Sequence, residues 1–336
     1  MLPERRGIIL KIIVSEYTTS GIPVASESIA RRYALGVSPA TTRHEMAHLE
    51  EEGYISRPHV SAGGVPSDKG YRYYVEYLIK EAKLSDEEQH AIQQLIYQAE
   101  QELEEWARLA ATFLSQRLKS IALVTLPRAS VCHFRHLDLI ALQEYQVLFV
   151  LLLQEGEIKQ LVLTLEQAVS QDELTALANH LNAVYKGLDY SQIDAQEIEL
   201  SPLEEQIAVT ILQTMQVEDK QQYDQFYLSG WRHLLSQPEF IKGEKTLSLV
   251  EALEEGSLLN SLLGSLGHEP GVKVVIGNEN EEEALRGCSV ILSNYGIRVR
   301  GTIGVIGPTR LLYHQAIPIV DYLSSVMSGV VNEIYA

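Results

Sequence analysis

Apolar and polar side chains alternate along the first twenty residues with the period of an α-helix. The apolar positions fall three to four residues apart, so they share one face. This pattern predicts an amphipathic helix from about Pro3 to Ser20, which Gly21 would end. The positions that carry the apolar face are Ile8, Ile9, Ile12, Ile13 and Tyr17.

Two shorter helices are predicted next in the chain. The first runs from about Ala25 to Tyr33 with Ile29 facing inward, and Gly36 then interrupts the pattern. Ser38-Pro39 opens the second, because a serine hydroxyl caps free amide groups and the first helical position needs no amide donor. A helix, a tight turn and a sharply capped helix are typical of a helix-turn-helix motif.

The capped helix has two chemically different faces. Thr42, Met46 and Leu49 fall on one helical stripe, which we expect to lie in the core. The opposite face carries small and hydrogen-bonding side chains, a composition that suits insertion into the major groove of DNA. The residues of this helix expected to contact DNA are Ser38, Ala40, Thr41, Arg43 and His44.

After Gly53 the apolar period changes from that of a helix to that of a strand. Tyr54 to Arg57 and Tyr71 to Val75 are predicted as two strands, joined by a loop rich in glycine and proline. A hairpin directly after a recognition helix is a wing, whose basic and polar side chains are suited to phosphate or minor-groove contacts. The wing residues expected to contact DNA are Arg57, His59, Ser61, Lys69 and Arg72.

The rest of the chain mixes capped helices with apolar strands. The first helix predicted there is long, and its apolar stripe from Ile92 to Leu114 indicates packing within the chain or across a dimer. Strands separated by a helical block at about 190–264 fit a domain inserted into an α+β domain. The three helix caps are Ser85 with Glu88, Ser170 with Glu173, and Ser201-Pro202 with Glu204. The strands are predicted at 147–153, 161–165, 272–277, 289–293 and 301–306, and a last helix begins near Tyr313.

Charge separates the first 80 residues from the remainder. The chain has 336 residues, of which 46% are hydrophobic, and a formal net charge of −18. Residues 1–80 carry +1 and the rest carries −19. Because an acidic body repels DNA, any contact with nucleic acid has to come from the N-terminal segment.

The composition also narrows the location and the chemistry of the protein. Cys132 and Cys288 lie far apart without a CxxC pair, so we expect two reduced thiols and neither a disulfide nor a structural zinc site. The longest fully apolar run, 147–153, is far shorter than the ~20 residues of a membrane helix. M-L-P-E-R-R is no secretion signal. We therefore expect a cytoplasmic protein that contacts no membrane and holds no cofactor.

One stretch suggests an enzyme instead of a DNA-binding protein. His44-Glu45-x-x-His48 matches the helical motif of zinc proteases, in which two imidazoles bind the metal and the glutamate activates water. The extended signature fails, because Glu51 and Tyr54 stand where it requires glycine and a third histidine. We interpret the match as coincidental, and a zinc hydrolase remains an alternative hypothesis.

Two further patterns favour ordinary structure over chemistry. His133, His136 and Asp138 are close in sequence, but on a strand His133 faces away from the other two. The glycines at 301, 304 and 307 lack the lysine and hydroxyl of a phosphate-binding loop, and they indicate a strand followed by a turn.

With these residues in view, the chain resembles the bacterial family of heat-inducible transcription repressors, HrcA. G-V-S-P-A-T-T-R-H-E-M-A-H-L-E-E-E-G-Y-I and P-H-V-S-A-G-G-V-P-S-D-K-G-Y-R-Y-Y-V are similar to the recognition helix and wing of that family. Similarity recurs in P-E-F at 238–240, I-G-N-E-N at 276–280, C-S-V-I at 288–291 and G-T-I-G-V-I-G-P-T-R at 301–310.

The resemblance implies an α+β fold with three domains. These are an N-terminal winged helix-turn-helix at 1–78, a GAF-like α/β domain at 79–190 and 265–336, and an inserted, mostly helical dimerising domain at 191–264. It also implies a homodimeric repressor of chaperone genes that binds double-stranded DNA at an inverted repeat, the CIRCE operator. The GroE chaperonin would keep the repressor active, and heat stress would remove that activity.

Three positions depart from the family pattern. The family has an aliphatic residue where Thr42 stands, asparagine at His44 and arginine at Gly64. Thr42 would weaken a core contact slightly, and Gly64 would remove a wing contact. His44 would change which bases are recognised, since an imidazole and an amide differ in hydrogen-bond donors and acceptors. The alternative within DNA-binding proteins is a ligand-responsive regulator of another regulon, with the GAF-like domain as its sensor.

Overall fold

The chain folds into two compact units. A computed structural model describes residues 2–33, 36–59, 62–79, 84–98, 102–129, 131–154, 157–196, 198–220, 226–240, 244–254, 261–262, 271–297 and 299–334. The larger unit consists of residues 1–127, 225–297 and 301–336, and the smaller one of residues 128–224 and 298–300.

The three N-terminal helices are where their sequence signals predict them. They are α1 (Glu4–Ser20), α2 (Ser26–Arg32) and α3 (Pro39–Glu51). Gly21 ends α1 because its positive φ of 66° lets its amide bond to the carbonyl oxygen of Tyr17 at 2.8 Å. The Ser38 hydroxyl accepts a hydrogen bond from the Thr41 amide at 3.1 Å, so the predicted cap of α3 is confirmed.

The hairpin after α3 is shorter than predicted, and its second strand lies elsewhere. Strands β1 (Ile55–Ser56) and β2 (Val65–Pro66) pair antiparallel. The strand predicted at Tyr71–Val75 is wrong: helix α4 (Asp68–Tyr73) occupies this region and continues as one turn of π-helix, Tyr74–Leu78. Ser67 caps α4 by accepting from the Gly70 amide at 3.1 Å, and this local cap outweighs the strand preference of the aromatic residues.

The remaining elements follow in chain order. The helices are α5 (Asp86–Gln98), α6 (Leu103–Leu118), α7 (Gln171–Tyr185), α8 (Tyr190–Asp194), α9 (Pro202–Lys220), α10 (Trp231–Leu235), α11 (Glu244–Glu254) and α12 (Tyr313–Ile334). The strands are β3 (Ile121–Thr125), β4 (Arg128–Ala129), β5 (Phe134–Gln143), β6 (Gln146–Leu153), β7 (Ile158–Thr164), β8 (Phe226–Ser229), β9 (Val272–Ile276), β10 (Cys288–Tyr295) and β11 (Val299–Pro308).

The three predicted caps are confirmed. The Glu88 carboxylate accepts a hydrogen bond from the Ser85 amide, and the Ser85 hydroxyl accepts one from the Glu88 amide. The same pair of hydrogen bonds joins Glu173 to Ser170 and Glu204 to Ser201. The long helix predicted after Ser85 corresponds to α5 and α6, with residues 99–101 between them outside the described part of the chain.

An antiparallel sheet forms the centre of the larger unit. Its strand order is β8-β3-β11-β10-β9, and α12 packs on β10 while α6 packs on β3. The predicted strands at 272–277, 289–293 and 301–306 and the last helix are confirmed. The sequence does not predict β3 or β8. All five residues of β3 are buried, so it lacks the alternation that identifies a half-exposed strand. Strand β8 has only four residues, all partly buried, and likewise shows no alternation.

The glycines of β11 allow close packing across this sheet. A Cβ atom at Gly304 would lie 2.9 Å from the Cα atom of Leu292 on β10, and one at Gly307 would lie 2.6 Å from the Ser120 hydroxyl. Both distances are too short for a side chain, so only glycine fits. The glycine pattern is therefore structural, and its prediction as a strand is confirmed.

The smaller unit is a three-stranded antiparallel meander, β5-β6-β7, covered by helices on one face. Side chains of β6 alternate along the strand, with Val147, Phe149 and Leu151 buried against α7 and α9. The bounds of this unit, 128–224, differ from the predicted inserted segment, 191–264. The reason is that β5–β7 share a core with α7 and α9, whereas β8 pairs with β3 in the larger unit. Among the described helices, none has the length and apolar character needed to cross a membrane.

Candidate DNA-binding surface

Helix α3 presents the exposed face that its sequence predicts. Thr42, Met46 and Leu49 are at most 2% exposed and pack inward. Arg43 and His44 are exposed on the outer face. Among the described residues, no carboxylate lies within ion-pairing distance of Arg43. The outer face therefore offers one free guanidinium and one imidazole to a ligand.

The N-terminal turn of α3 is held by its own side chains. The Ser38 hydroxyl accepts from the Thr41 amide and lies 3.0 Å from the Thr41 hydroxyl. Thr42, at 0% exposure, donates its hydroxyl to the Ser38 carbonyl oxygen at 3.2 Å. The departure at Thr42 is thus a satisfied buried hydroxyl. Ala40 lies beside this turn and is exposed.

The acidic run at the C-terminal end of α3 is matched by positive partners. Glu50 lies 3.3 Å from Arg57, and Glu52 lies 2.6 Å from Arg6. Arg6 also donates to Glu45 at 2.9 Å, and this hydrogen bond raises the pKa of Arg6. These pairs reduce the negative potential that three consecutive glutamates would present to a phosphate backbone.

The five residues predicted on the wing have different surroundings. Arg57 borders the hairpin but is paired with Glu50, and His59 is exposed in the loop. Ser61 lies outside the described residues. Lys69 is on α4, where its ammonium group donates to the Glu52 carbonyl oxygen at 2.7 Å. The same group lies 4.4 Å from the centre of the Tyr54 ring.

Arg72 is held away from the hairpin. It lies on α4, and it donates to Glu279 at 2.8 Å and to the Val274 carbonyl oxygen at 2.7 Å. Burial alone would raise the pKa of Glu279, but the hydrogen bonds from Arg72 and the Ile276 amide, together with the charge of Arg72, outweigh burial and lower that pKa. The placement of Arg72 on a wing strand is therefore wrong, and its side chain is engaged within the larger unit.

The I-G-N-E-N segment provides the partners for α4. Asp68 accepts from both the amide and the side-chain nitrogen of Asn278, at 2.9 and 2.8 Å. Gly277 adopts a positive φ of 54° and faces the Asp68 carboxylate. The sequence marks this segment only through its resemblance to the family, because Asp68 and Asn278 are 210 positions apart and no local pattern joins them.

Gly64 is an interior position. Its amide and carbonyl groups exchange hydrogen bonds with Val24, both at 2.9 Å. A Cβ atom there would meet the ends of the Ile55 and Met46 side chains at 3.0 Å. The Cα atom of Gly64 therefore faces the core between the hairpin and α3, and the loss of a wing contact at this position stays a prediction.

The H-E-M-A-H stretch lacks the arrangement of a catalytic zinc site. His44 and His48 do approach each other, with their Nε2 atoms 3.2 Å apart. Glu45, however, points to Arg6 at 2.9 Å and Arg5 at 3.8 Å. Within the described ranges, no three His, Cys, Asp or Glu side chains gather as a metal site. His136 and Asp138 lie 3.3 Å apart on β5 as an exposed pair.

The chain is similar to known proteins over its full length. Residues 104–317 match the family model described as the HrcA protein C-terminal domain. A heat-inducible transcription repressor HrcA of Dehalococcoides mccartyi is 42% identical, covering 100% of this chain and 97% of that protein. The HrcA repressor of a Roseiflexus species is 39% identical, covering 99% and 96%.

The fold is also similar to a solved one. The crystal structure of a hypothetical protein matches with a TM-score of 0.64 and 22% identity, covering 99% of each chain. The structural similarity supports the mixed α+β fold, and the sequence relatives identify the function as transcriptional repression. The chain belongs to the HrcA family of heat-inducible transcription repressors, and it is a DNA-binding regulator of the heat response and not an enzyme.

Proposed function

We propose that this repressor binds a CIRCE-type inverted repeat as a homodimer, with residues 1–78 acting as a winged helix-turn-helix. Helix α3 would enter the major groove and the β1–β2 hairpin would form the wing. The observation that carries the proposal is the exposed outer face of α3, with Arg43 and His44 opposite a fully buried stripe. Such a face can approach base edges without disturbing the core.

The side chains divide by chemistry into two kinds of contact. A guanidinium binds guanine through two hydrogen bonds, so Arg43 would read a base, with His44 beside it. Ser38, Ala40 and Thr41 lie at the amino end of α3, where a backbone phosphate would sit against the capped turn. Arg57, His59, Ser61 and Lys69 would contact phosphates from the wing side, while Arg72 is reassigned to the contact with Glu279.

A homodimer is supported by an apolar face on the smaller unit. Ile140, Leu148 and Val162 lie side by side across β5, β6 and β7 on the face away from the helices. Ile140 is 46% exposed, and Ile158 and Val162 are each 58% exposed. Apolar patches of this kind mark association surfaces, and a second copy related by a two-fold axis would cover it. The sedimentation mass of the purified protein tests this, and a monomer at micromolar concentration would contradict it.

The dimer fits an inverted repeat. Two copies of α3 related by a two-fold axis read half-sites one turn apart or a multiple of it, ~10–10.5 base pairs. From the family resemblance, we further propose that the larger-unit sheet is the GAF-like domain and that the protein acts in the cytoplasm. We also propose that the GroE chaperonin maintains its activity. DNA binding that is unchanged by warming and by added chaperonin would contradict the last of these.

A mobility shift with an inverted-repeat duplex tests the DNA-binding surface. Arg43→Ala should weaken operator binding by roughly 5- to 150-fold, since a bidentate base contact contributes ~1–3 kcal/mol. Binding to a scrambled duplex should change much less. Arg286→Ala is a matched control, because it removes the same charge from an exposed residue outside residues 1–78. Equal losses on both duplexes would reassign Arg43 to the phosphate backbone.

A further inference from the structure

The two histidines of α3 are spaced as ligands of one metal ion. His44 and His48 are one helical turn apart, and their Nε2 atoms are separated by 3.2 Å. Two Zn–N bonds of ~2.0–2.1 Å at a tetrahedral angle place their nitrogen atoms about 3.3–3.4 Å apart. The pair therefore needs only a small adjustment to bind an ion between the rings, which stand at 74° to each other.

A carboxylate orients one of the two rings. The Nδ1 atom of His48 lies 3.2 Å from Glu51, one further turn along α3. A carboxylate that accepts from Nδ1–H leaves the lone pair on Nε2, which is the form that ligates a metal. Glu45, the residue that a catalytic site would need, is held instead by Arg6.

We propose that His44 and His48 form a two-ligand site for a divalent transition-metal ion that prefers imidazole, with Zn²⁺ as the probe. Within the described part of the chain no third protein ligand joins them, so water would complete the coordination. Such a site binds reversibly, because one rigid helix supplies only a two-point chelate. Imidazole ligands favour zinc, nickel and copper over magnesium.

Metal occupancy would oppose operator binding. This step rests on the proposed function, in which His44 belongs to the face that enters the DNA groove. With His48 Nδ1–H donating to Glu51, the Nε2 atom of His44 carries the proton of the hydrogen bond between the two rings. Metal binding shifts that proton to Nδ1 of His44, so the metal takes the freed Nε2 lone pair. Its water ligands project from the face that has to approach the base edges. By thermodynamic linkage, the factor by which zinc weakens operator binding equals the factor by which operator weakens zinc binding.

Calorimetric titration of zinc chloride into the metal-free full chain tests the site without DNA. We expect one ion per chain from this site, and a loss of affinity of about tenfold or more in either His44→Asn or His48→Gln, because each removes one arm of the chelate. His90→Asn is the matched control, since His90 is an exposed histidine on α5 and its loss should leave the affinity unchanged. Magnesium chloride should give no such binding. Wild-type affinity in His44→Asn and His48→Gln would overturn the site.

The operator mobility shift, repeated with and without zinc, tests the competition. Zinc should weaken operator binding by the wild-type protein and have much less effect on His48→Gln, and a chelator should reverse the loss. Zinc binding that leaves operator affinity unchanged, or raises it, would overturn the competition while the metal site stands. Failure of the metal-free wild type to bind the operator at all would instead contradict the proposed function.

Discussion

Two neighbouring tyrosines of the larger unit should respond in opposite directions to the same substitution. Tyr71 on α4 and Tyr313 on α12 are 1% and 0% exposed, with ring centroids 5.6 Å apart. The Tyr71 hydroxyl is buried and has no hydrogen-bond partner among the residues that the structure describes. The Tyr313 hydroxyl has two partners, the Ser289 hydroxyl and the Thr309 carbonyl oxygen, each at 2.6 Å. Removing the Tyr71 hydroxyl therefore removes an unsatisfied buried polar group, whereas removing the Tyr313 hydroxyl creates one.

The magnitudes follow from the cost of an unsatisfied buried polar group, ~1–3 kcal/mol. Tyr71→Phe should raise the free energy of unfolding by about 1 kcal/mol or more, because the lone hydroxyl is desolvated without compensation. Tyr313→Phe should lower it by ~1–3 kcal/mol, because Ser289 is 0% exposed and would lose its partner. Burial raises the pKa of both phenols, so both are neutral at ordinary pH.

Urea denaturation at neutral pH measures both effects. The two tyrosines belong to the same compact unit, so both substitutions act on its unfolding transition. With a slope of ~1–3 kcal/mol per molar urea, a change of 1 kcal/mol moves the midpoint by roughly 0.3–1 M. A Tyr71→Phe protein that unfolds at lower urea than the wild type would refute the reasoning, since it would mean that the hydroxyl has a stabilising partner such as a buried water.

Two further substitutions test other contacts. Gly277→Ala should destabilise the larger unit by more than the ~1–2 kcal/mol that a positive φ costs by itself, because the new Cβ atom would overlap the Asp68 carboxylate. Amide hydrogen exchange in α4 should become faster. Gly287→Ala is the control and should change stability little, because there is open space around Gly287. Equal effects of the two alanines would argue against a close contact at Gly277. Hydrogen bonds from His180, at 2.6 Å, and from the Ser201 amide lower the pKa of Glu204 to about 2, so its contribution to stability is present above pH ~4.5 and is lost as the pH falls towards 2. Glu204→Gln should flatten the fall in unfolding free energy over that interval, and an unchanged slope would contradict the assignment.

Local signals determined most of the N-terminal segment. The Ser38-Pro39 cap and the spacing of Thr42, Met46 and Leu49 predict both the start of α3 and its buried face. The capped starts of α7 and α9 are likewise encoded within four residues. Capping and helical period depend on neighbours one turn apart, so a sequence states them directly.

Contacts between residues far apart in the chain could not be predicted from the sequence. Tyr71–Val75 has the composition of a strand, yet it is helical because Tyr71 packs against Tyr313 of α12 and Ser67 caps α4. Arg72 looks like a wing residue until Glu279, 207 positions away, is seen to hold it. The pairing of β3 with β8 and the bounds of the smaller unit depend on the same kind of distant contact.

The sequence by itself thus determined where α3 begins, which of its faces is exposed and which side chains that face carries, because helical period and caps are short-range properties. Only the tertiary structure decided which of the candidate DNA-contacting residues are free. A charged side chain takes the nearest favourable partner in space, and that partner is fixed by the fold and not by position along the chain.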